Sequence, residues 1–209
     1  MHVLVTAGPT REHIDDVRFL SNASTGAMGI AVATVAAQRG HEVTLVLGPT
    51  HLDPPGGVRT VRVVSAVEMH RAVQRYYADA DAVVMTAAVC DYRPDRRVDG
   101  KIKKTGQALT LNLVPNPDIL ADLGARKGSR VLVGFALEAE GPDAPANARA
   151  KLHSKNLDLI VLDSPAAMGA ERARFVILAA DGAEEQLDDA SKLDLALKIV
   201  DRIEQRGTS

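Results

Sequence analysis

Short apolar runs alternate along the first part of the chain with segments whose apolar residues recur at helical spacing. The runs His2–Thr6, Glu42–Leu47 and Ala82–Ala88 are rich in Val, Leu and other apolar residues and predict strands. Ala82–Ala88 is nearly all apolar, as expected for a strand covered on both faces. An Ala-rich segment ended by Gly40 predicts a helix over Gly26–Gln38, and helical spacing of apolar residues predicts one over Ala66–Tyr77. This order predicts a parallel sheet with right-handed crossovers and helices on both sides.

The alternation stops between Asp91 and Gln107, where the chain is polar, charged and without a clean period. A loop this long in a compact domain is usually functional or disordered. Beyond it, strands are predicted over Leu109–Val114, Val131–Ala136 and Leu157–Leu162. Helices are predicted to begin at Asn116-Pro117-Asp118 and to cover Asn147–Ser154, and a closing helix covers Ser191–Gln205. A hairpin that turns at Asp181-Gly182 is predicted to pair Arg174–Ala179 with the stretch around Gln186-Leu187. Asn116 is the predicted N-cap, with Pro117 at the first helical position.

We therefore predict an α/β fold: a Rossmann-like, doubly wound, mainly parallel sheet with helices on both faces and a flap or β excursion after the third strand. The expected organisation is a single domain over residues 1–206, with the flap at roughly 93–108 and a disordered tail at 207–209.

Composition narrows the function classes. The net charge is −2, aromatics are 3% and tryptophan is absent, which argues against a nucleic-acid partner. A single cysteine, Cys90, suits a reducing compartment and excludes an internal disulfide. No signal-peptide pattern precedes the first strand, and no apolar run reaches membrane-spanning length. The expectation is a cytoplasmic protein with no membrane partner.

The connection after the first strand holds the first candidate chemistry. It breaks at Gly8-Pro9, carries Arg11, Arg18 and Asn22, and enters a predicted helix at Ser24-Thr25-Gly26. A helix N-terminus presents unpaired N–H groups and positive dipole charge, and arginine suits phosphate or carboxylate. These features predict a phosphate-bearing ligand. The alternative is a simple helix cap and close-packing glycine, with the other residues in turns.

Charged residues near later strand ends are weaker candidates. Asp91 follows an apolar strand at the edge where open α/β sheets bind ligands, and could accept from ribose hydroxyls. Lys101 and Lys103 would share one side of an extended segment, where a lysine could stabilise charge at phosphorus. Lys151 and Lys155 lie four apart and share one helix face. Each has the alternative reading of a solvated surface residue.

Several chemistries are disfavoured. A nicotinamide-binding domain requires G-x-G-x-x-G after the first strand and a carboxylate ending the second, and neither is present. No tyrosine has a lysine four residues later, and Cys90 shows no pairing with histidine. The six histidines lack metal-ligand spacing, so metal ligands stay unknown, and there is no G-x-x-x-x-G-K-[ST] loop.

Six strings, taken in order, resemble phosphopantothenoylcysteine synthetase, the ligase of coenzyme A biosynthesis, and in particular its bacterial type. The matching segments are Thr6–Gly29, Ala87–Arg93, Lys101–Lys104, Asn116–Ile119, Gly134–Glu138 and Lys155–Val161. The chain departs from the family pattern at Ala27, at Cys90 and at Leu162-Asp163-Ser164-Pro165. The flavin-dependent decarboxylase that is commonly fused upstream in bacteria is not part of this sequence, and is expected as a separate or fused partner.

The resemblance implies a two-step ligation in a homodimer that shares the acyl part of the site. The carboxylate of 4′-phosphopantothenate attacks the α-phosphate of CTP, and pyrophosphate leaves. The amine of cysteine then attacks the acyl cytidylate and releases CMP. Mg²⁺ is expected to neutralise the phosphates. Retention of the fold and a nucleotide pocket without ligation, or an oxidoreductase, are the alternatives.

The resemblance also implies residue roles. Asn22 and Lys101 would be catalytic, Asn22 at the acyl carbonyl and Lys101 at the phosphoryl group. Arg18, Asn22 and Ser24 would bind the acyl substrate, and Asp91 would hold the ribose. The flap would stay mobile until substrate binds. The implied nucleotide-binding residues are Met85, Thr86, Ala87, Asp91, Lys101, Asn116, Pro117, Asp118, Ile119, Phe135, Lys151 and Lys155.

Overall fold

The structure, a computed structural model, describes residues 1–139, 141–167 and 169–207. Its strands are β1 (His2–Ala7), β2 (Arg11–His13), β3 (Phe19–Ser21), β4 (Glu42–Leu47), β5 (Arg59–Arg62), β6 (Ala82–Met85), β7 (Tyr92–Pro94), β8 (Leu113–Pro115), β9 (Val131–Leu137), β10 (Leu159–Asp163), β11 (Arg172–Ala179) and β12 (Glu184–Ser191). Its helices are α1 (Ala27–Gln38), α2 (Ala66–Tyr77), α3 (Ile119–Gly124), α4 (Ala144–Ser154) and α5 (Lys192–Gly207), with a 3₁₀ turn at Pro165–Ala167.

The described residues form one eight-stranded sheet in the order β12-β11-β10-β9-β6-β1-β4-β5. The six strands from β10 to β5 in that order are parallel, and β11 and β12 extend the sheet as an antiparallel hairpin. Helices α1 and α5 pack on one face of the sheet, and α2, α3 and α4 on the other. The predicted doubly wound α/β fold is confirmed. In the described ranges, no helix is long and apolar enough to cross a membrane.

Small residues bring α1 close to the sheet. A Cβ on Gly29 would lie 2.4 Å from the Ala7 Cβ and 2.5 Å from the Thr86 Oγ1. The inner side of the helix carries Val32, Ala33, Val35 and Ala36, all buried. Because α1 lies so close to β1, its first turn is held at the carboxyl edge of the sheet.

Two short antiparallel ribbons stand outside the main sheet. One pairs β2 with β3, and the other pairs β7 with β8. The first ribbon is fastened to the domain by the buried Glu12, whose Oε1 accepts a hydrogen bond of 2.9 Å from the Ala66 N–H at the start of α2. The second ribbon is the β excursion predicted after the third strand. Neither β2, β3 nor β5 was predicted.

Several predicted element boundaries were wrong. Helix α3 begins at Ile119 with Asp118 as N-cap, because Asp118 Oδ1 accepts from the Ala121 N–H at 3.0 Å; Asn116 is not the cap. Strand β8 covers only Leu113–Pro115, so the alternating pattern from Leu109 does not form a strand. The strand predicted to end at Ala88 ends at Met85. The loop that follows it forms an isolated β-bridge, between Ala88 and Pro9, just beyond the end of β1.

Two further corrections concern the flap and the tail. Residues 101–104 form no strand, so strand alternation does not place Lys101 and Lys103 on the same side. Helix α5 runs through Gly207, two residues past its predicted end at Gln205, and this residue is therefore not part of a disordered tail. The remainder of that predicted tail, residues 208–209, lies outside the described residues.

Replacing Gly48 with Ala is expected to destabilise the domain by about 3 kcal/mol. A Cβ at this position would lie 2.0 Å from the Pro9 carbonyl oxygen, so backbone would have to move. Urea denaturation checks the result against Gly56→Ala, whose Cβ would meet no atom within 4 Å. Equal midpoints for the two variants would contradict the role given to this contact.

Candidate functional site

The carboxyl ends of β6 and β9 open into a cavity of about 600 Å³, which we call the carboxyl-edge cavity. Ten of the twelve residues implied as nucleotide-binding line it. They are Met85, Ala87, Asp91, Asn116, Pro117, Asp118, Ile119, Phe135, Lys151 and Lys155. Tyr92 also lines it, with 57% of its surface exposed. Residues distant in sequence thus meet in one concave site of the size that a nucleotide needs.

Each lysine of this cavity is paired with a carboxylate. Lys155 Nζ lies 2.7 Å from Asp118 Oδ2, and Lys151 Nζ lies 2.6 Å from Glu138 Oε1. Burial opposes ionisation of Asp118, but Lys155 and the Ala121 N–H outweigh it and lower the pKa of that carboxyl. Lys151 likewise lowers the pKa of Glu138. Both ammonium groups are therefore held at the cavity wall by exposed ion pairs that a polyphosphate could displace.

Asn116 fixes the loop that carries Asp91. Its Nδ2 donates to the Cys90 carbonyl oxygen at 2.9 Å, its Oδ1 accepts from Arg93 Nη1 at 3.0 Å, and its backbone N–H donates to the Asp91 carbonyl oxygen at 2.7 Å. The Asp91 side chain is exposed and takes no hydrogen bond from the described residues. Its carboxylate is therefore open to hydroxyl donors from a ligand.

The first turn of α1 borders a second, smaller cavity of about 160 Å³, the helix cavity. Gly26, the N-cap, has φ +83°, and no side chain caps the helix. The hydroxyls of Ser24 and Thr25 accept from the N–H groups of Gly26 and Ala27, each at 3.3 Å. Thr86, which also lines this cavity, donates to the Thr6 carbonyl oxygen at 2.7 Å. The predicted helix N-terminus therefore faces a cavity.

The helix cavity adjoins the carboxyl-edge cavity, because Ala87 and Phe135 line both. Two departures from the family pattern also line the helix cavity, Ala27 and Asp163. Burial raises the pKa of the Asp163 carboxyl, and the Ser164 N–H that donates to it at 2.7 Å acts in the opposite sense. Lys192, which also lines the helix cavity, likewise acts to lower that pKa and places a cation in the same cavity.

Asn22 lines one cavity and contacts a residue from each of the two others. Its Nδ2 donates to the Ala88 carbonyl oxygen at 2.9 Å and lies 3.9 Å from the Cys90 Sγ. Ala88 lines the helix cavity and Cys90 the carboxyl-edge cavity. Asn22 itself lines a third cavity of about 400 Å³, the hairpin cavity, between the β2–β3 ribbon and residues 49–52. A side-chain amide at this junction can face groups bound in neighbouring cavities.

Arg18 and Lys101 line none of these three cavities. Arg18 donates through Nε and Nη2 to Asp15 Oδ2, at 3.0 and 2.5 Å, and through Nη2 to the Ile102 carbonyl oxygen at 2.9 Å. Asp15 Oδ2 also accepts from the Ile102 N–H at 3.0 Å. Lys101, directly before Ile102, is exposed. Contacts with Asp15 therefore bring Arg18 close to the segment that carries Lys101, but both residues lie outside the nucleotide cavity.

The sequence interpretation missed Asp15 and its neighbour Asp16. Asp15 is fully buried, and Arg18 together with the N–H groups of Val17 and Ile102 holds its pKa far below the usual range, against the effect of burial. Asp16 binds Arg97 at 2.7 Å and the Gly100 N–H at 2.9 Å. The two carboxylates fasten the root of the flap. The sequence signal that could have indicated this contact is an Asp in a polar turn, because an Asp side chain there accepts from the N–H groups two and three residues later.

Asp15→Asn is expected to speed tryptic cleavage after the flap lysines at 101, 103 and 104 by roughly tenfold or more. The amide would lose the charge that holds Arg18 and would turn a donor toward N–H groups that now donate to the carboxylate. Mass spectrometry of the timed digest measures this. Asp95→Asn, an acidic flap residue with no side-chain hydrogen bond among described partners, is the control. Equal rates in both variants would contradict the fastening.

Within the described ranges, no group of three or more His, Cys, Asp and Glu side chains is arranged to hold a metal ion.

The amino-acid sequence matches, over residues 1–206, the family described as DNA/pantothenate metabolism flavoprotein C-terminal domain. The chain belongs to this family. It is 44% identical over 207 residues to the coenzyme A biosynthesis bifunctional protein CoaBC of Bacillus subtilis, covering 97% of this chain and 50% of that protein. It is 42% identical over 207 residues to a cysteine/cysteine sulfinic acid decarboxylase of an unknown prokaryotic organism, covering 96% of this chain and 57% of that protein.

A crystal structure of the C-terminal domain of a CoaBC protein has the same fold. It superposes with a TM-score of 0.84 at 40% identity, covering 98% of this chain and 94% of that domain. This chain of the DNA/pantothenate metabolism flavoprotein family spans about half the length of the curated relatives it matches. The resemblance inferred from the six sequence strings is confirmed at the level of the family.

Proposed function

We propose that the chain is a phosphopantothenate–cysteine ligase of coenzyme A biosynthesis, acting in the cytoplasm and consuming CTP. The observation that carries the proposal is the carboxyl-edge cavity, in which ten residues implied by the family pattern meet. The adjoining helix cavity offers N–H groups to an anion, and Asn22 stands between these cavities and a third. Two neighbouring substrate cavities with a polar donor at their junction suit a condensation.

In the proposed first step, the nucleotide occupies the carboxyl-edge cavity. Asp91 accepts from ribose hydroxyls, and the phosphates take Lys151 and Lys155 from their present partners Glu138 and Asp118. The carboxylate of 4′-phosphopantothenate attacks the α-phosphorus, forming an acyl–phosphate bond while the bond to pyrophosphate breaks. The lysines and the N-terminal N–H groups of α1 stabilise the charge that develops on the phosphate oxygens.

In the proposed second step, the cysteine amine attacks the acyl carbon. The C–N bond forms, the C–O bond to CMP breaks, and the amine proton is released to solvent. Asn22 Nδ2 donates to the acyl oxygen as it gains charge, in place of its present acceptor, the Ala88 carbonyl oxygen. Ser24, which lines both the helix cavity and the hairpin cavity, contributes to binding the acyl substrate. Arg18 lies outside the three cavities and is bound to Asp15 and to the flap at Ile102, so its contribution requires the same flap movement as Lys101.

Lys101 requires a flap movement to reach the phosphates, since it does not line the nucleotide cavity here. Closure of a loop over bound substrate is a common way to complete a site and exclude water. We also propose that Mg²⁺ enters the site bound to the triphosphate. Because the described residues present no three-ligand cluster, the triphosphate would supply most of the ion's ligands.

Two assembly proposals accompany the chemistry. A homodimer is supported by exposed apolar side chains on and beside the two ribbons, at Val17, Phe19, Leu109 and Leu113. A decarboxylase as fused or separate partner is supported by the greater length of the matched relatives.

The deciding experiment measures pyrophosphate release from CTP and from ATP with 4′-phosphopantothenate and Mg²⁺, with and without cysteine. Release with CTP, and adduct formation only when cysteine is present, is the expected result. Carbon dioxide release from cysteine and cysteine sulfinic acid is measured in parallel, since one relative bears a decarboxylase name. Decarboxylation without pyrophosphate release would overturn the proposal. Nucleotide binding without either reaction would identify a binding module instead.

A further inference from the structure

The hairpin cavity contains an arginine that nothing in the described structure neutralises. The guanidinium carbon of Arg11 lies 4.6 Å from the centre of the Phe19 ring, and no described carboxylate forms an ion pair with it. The other arginines of this region are engaged: Arg18 binds Asp15 and Arg97 binds Asp16. Arg11 is half-buried beside a largely apolar cavity, where an unpaired cation is costly unless a ligand supplies the counter-charge.

The backbone holds this cation in a defined place. The Arg11 N–H donates to the Val64 carbonyl oxygen at 2.8 Å, and the next residue, Glu12, is fixed to the start of α2. The guanidinium carbon lies over the Phe19 ring, so the cation is in contact with the face of an aromatic side chain. The position is therefore built by two neighbouring segments and an aromatic ring, rather than by a flexible surface side chain.

Arg11 is also close to the reacting junction. It pairs with Ser21 across the β2–β3 ribbon, and Ser21 directly precedes Asn22. Arg11, Ser21, Asn22 and Ser24 all line the hairpin cavity. A ligand group held by Arg11 would thus belong to a molecule whose other end reaches the Asn22 amide.

We propose that Arg11 recognises an anionic group, phosphate or carboxylate, of the substrate that occupies the hairpin cavity and reacts at Asn22. This rests on the proposed ligase function. Two substrates carry such a group after the nucleotide is placed elsewhere: 4′-phosphopantothenate through its phosphate, and cysteine through its carboxylate. Arginine's planar fork binds either by paired N–H donors.

The test compares each substrate with an analogue that lacks the phosphate or carboxylate proposed to bind Arg11. Adduct formation is measured for the parent, Arg11→Met and Arg11→Lys with 4′-phosphopantothenate against pantothenate, and with cysteine against cysteamine. Arg11→Met is expected to lower kcat/KM for the recognised substrate by about ten- to a hundredfold and to leave kcat/KM for the analogue that lacks the recognised anionic group nearly unchanged. Arg11→Lys should recover part of the loss. The substrate pair that shows the effect identifies the group.

Arg59→Met is the matched control, because Arg59 stacks on Tyr76 at 6.0 Å on strand β5, away from the three cavities. In Arg11→Met, an equal loss for each substrate and for its analogue without the anionic group, or no loss at all, overturns the proposal. If the parent forms no adduct with any pair, the ligase function fails. Calorimetric titration of 4′-phosphopantothenate and cysteine into parent and Arg11→Met then tests recognition alone, and equal affinities would overturn it.

Discussion

Replacing Lys101 with Gln is expected to slow pyrophosphate release from CTP by about a hundredfold or more, while CTP still binds. The cavity that would take the nucleoside is lined by other residues, so ground-state binding does not depend on this side chain. In the transition state, the ammonium that the flap brings to the phosphates stabilises charge that a neutral amide cannot. A single-turnover assay with enzyme in excess over CTP measures this step directly.

Lys103→Gln is the control for the Lys101 experiment. Lys103 is an exposed residue of the same flap segment, and its loss changes the flap's charge by the same amount. A general electrostatic effect of the flap would slow both variants equally. Release at the parent rate in Lys101→Gln would remove Lys101 from the mechanism and leave the charge stabilisation to Lys151, Lys155 and the start of α1.

Replacing Asn22 with Asp is expected to slow adduct formation by about a hundred- to a thousandfold and to let acyl cytidylate accumulate. The carboxylate has no N–H to offer the acyl oxygen, and its charge opposes the charge that develops there. It would also face the Ala88 carbonyl oxygen, which the Asn22 amide now contacts at 2.9 Å. Rapid quenching followed by mass spectrometry detects the intermediate.

Asn112→Asp, at an exposed position outside the three cavities, introduces the same chemical change without access to the junction. It should resemble the parent. If Asn22→Asp forms product slowly and yet accumulates no intermediate, Asn22 acts before the second step. In that case pyrophosphate release would also be slow, because the first step would be the one affected.

The framework of the fold was predictable because apolar pattern and burial agree along it. Glu42–Leu47 and Ala66–Tyr77 have the predicted bounds, since their apolar residues enter the two faces of one core. The β2–β3 ribbon was missed because three-residue strands carry little pattern. Its stability comes from tertiary contacts such as Glu12 with the Ala66 N–H.

Local capping preferences misled at α3. Asn116 is a good N-cap type and precedes a proline, but its amide is used by the Cys90 carbonyl oxygen and by Arg93. Asp118 is two residues later and has the Ala121 N–H within reach, so the helix begins there. Propensity describes what a residue can do locally, and long-range partners decide which option it takes.

The candidate site was predictable in its location and less so in its geometry. Residues that follow parallel strands converge on one edge of the sheet, so Asp91 was expected at the carboxyl edge near Ala87. Asn116 was placed at the site only by the family resemblance, because it follows β8, an antiparallel strand outside the main sheet. The position of Lys101 was not predictable, because it depends on Asp15 and Asp16, more than eighty residues away in sequence. The residues next to Lys101 in the sequence give no indication of a partner so far away along the chain.

Tyr92, at the mouth of the carboxyl-edge cavity, gives the protein a built-in optical reporter. The chain contains no tryptophan and three tyrosines, so no indole emission masks the weaker phenol signal. Tyr77 is buried, with its hydroxyl donated to the Leu123 carbonyl oxygen, and Tyr76 lies on α2 away from the cavity. A pyrimidine base stacking near Tyr92 would quench its fluorescence, so nucleotide occupancy can be titrated without any label.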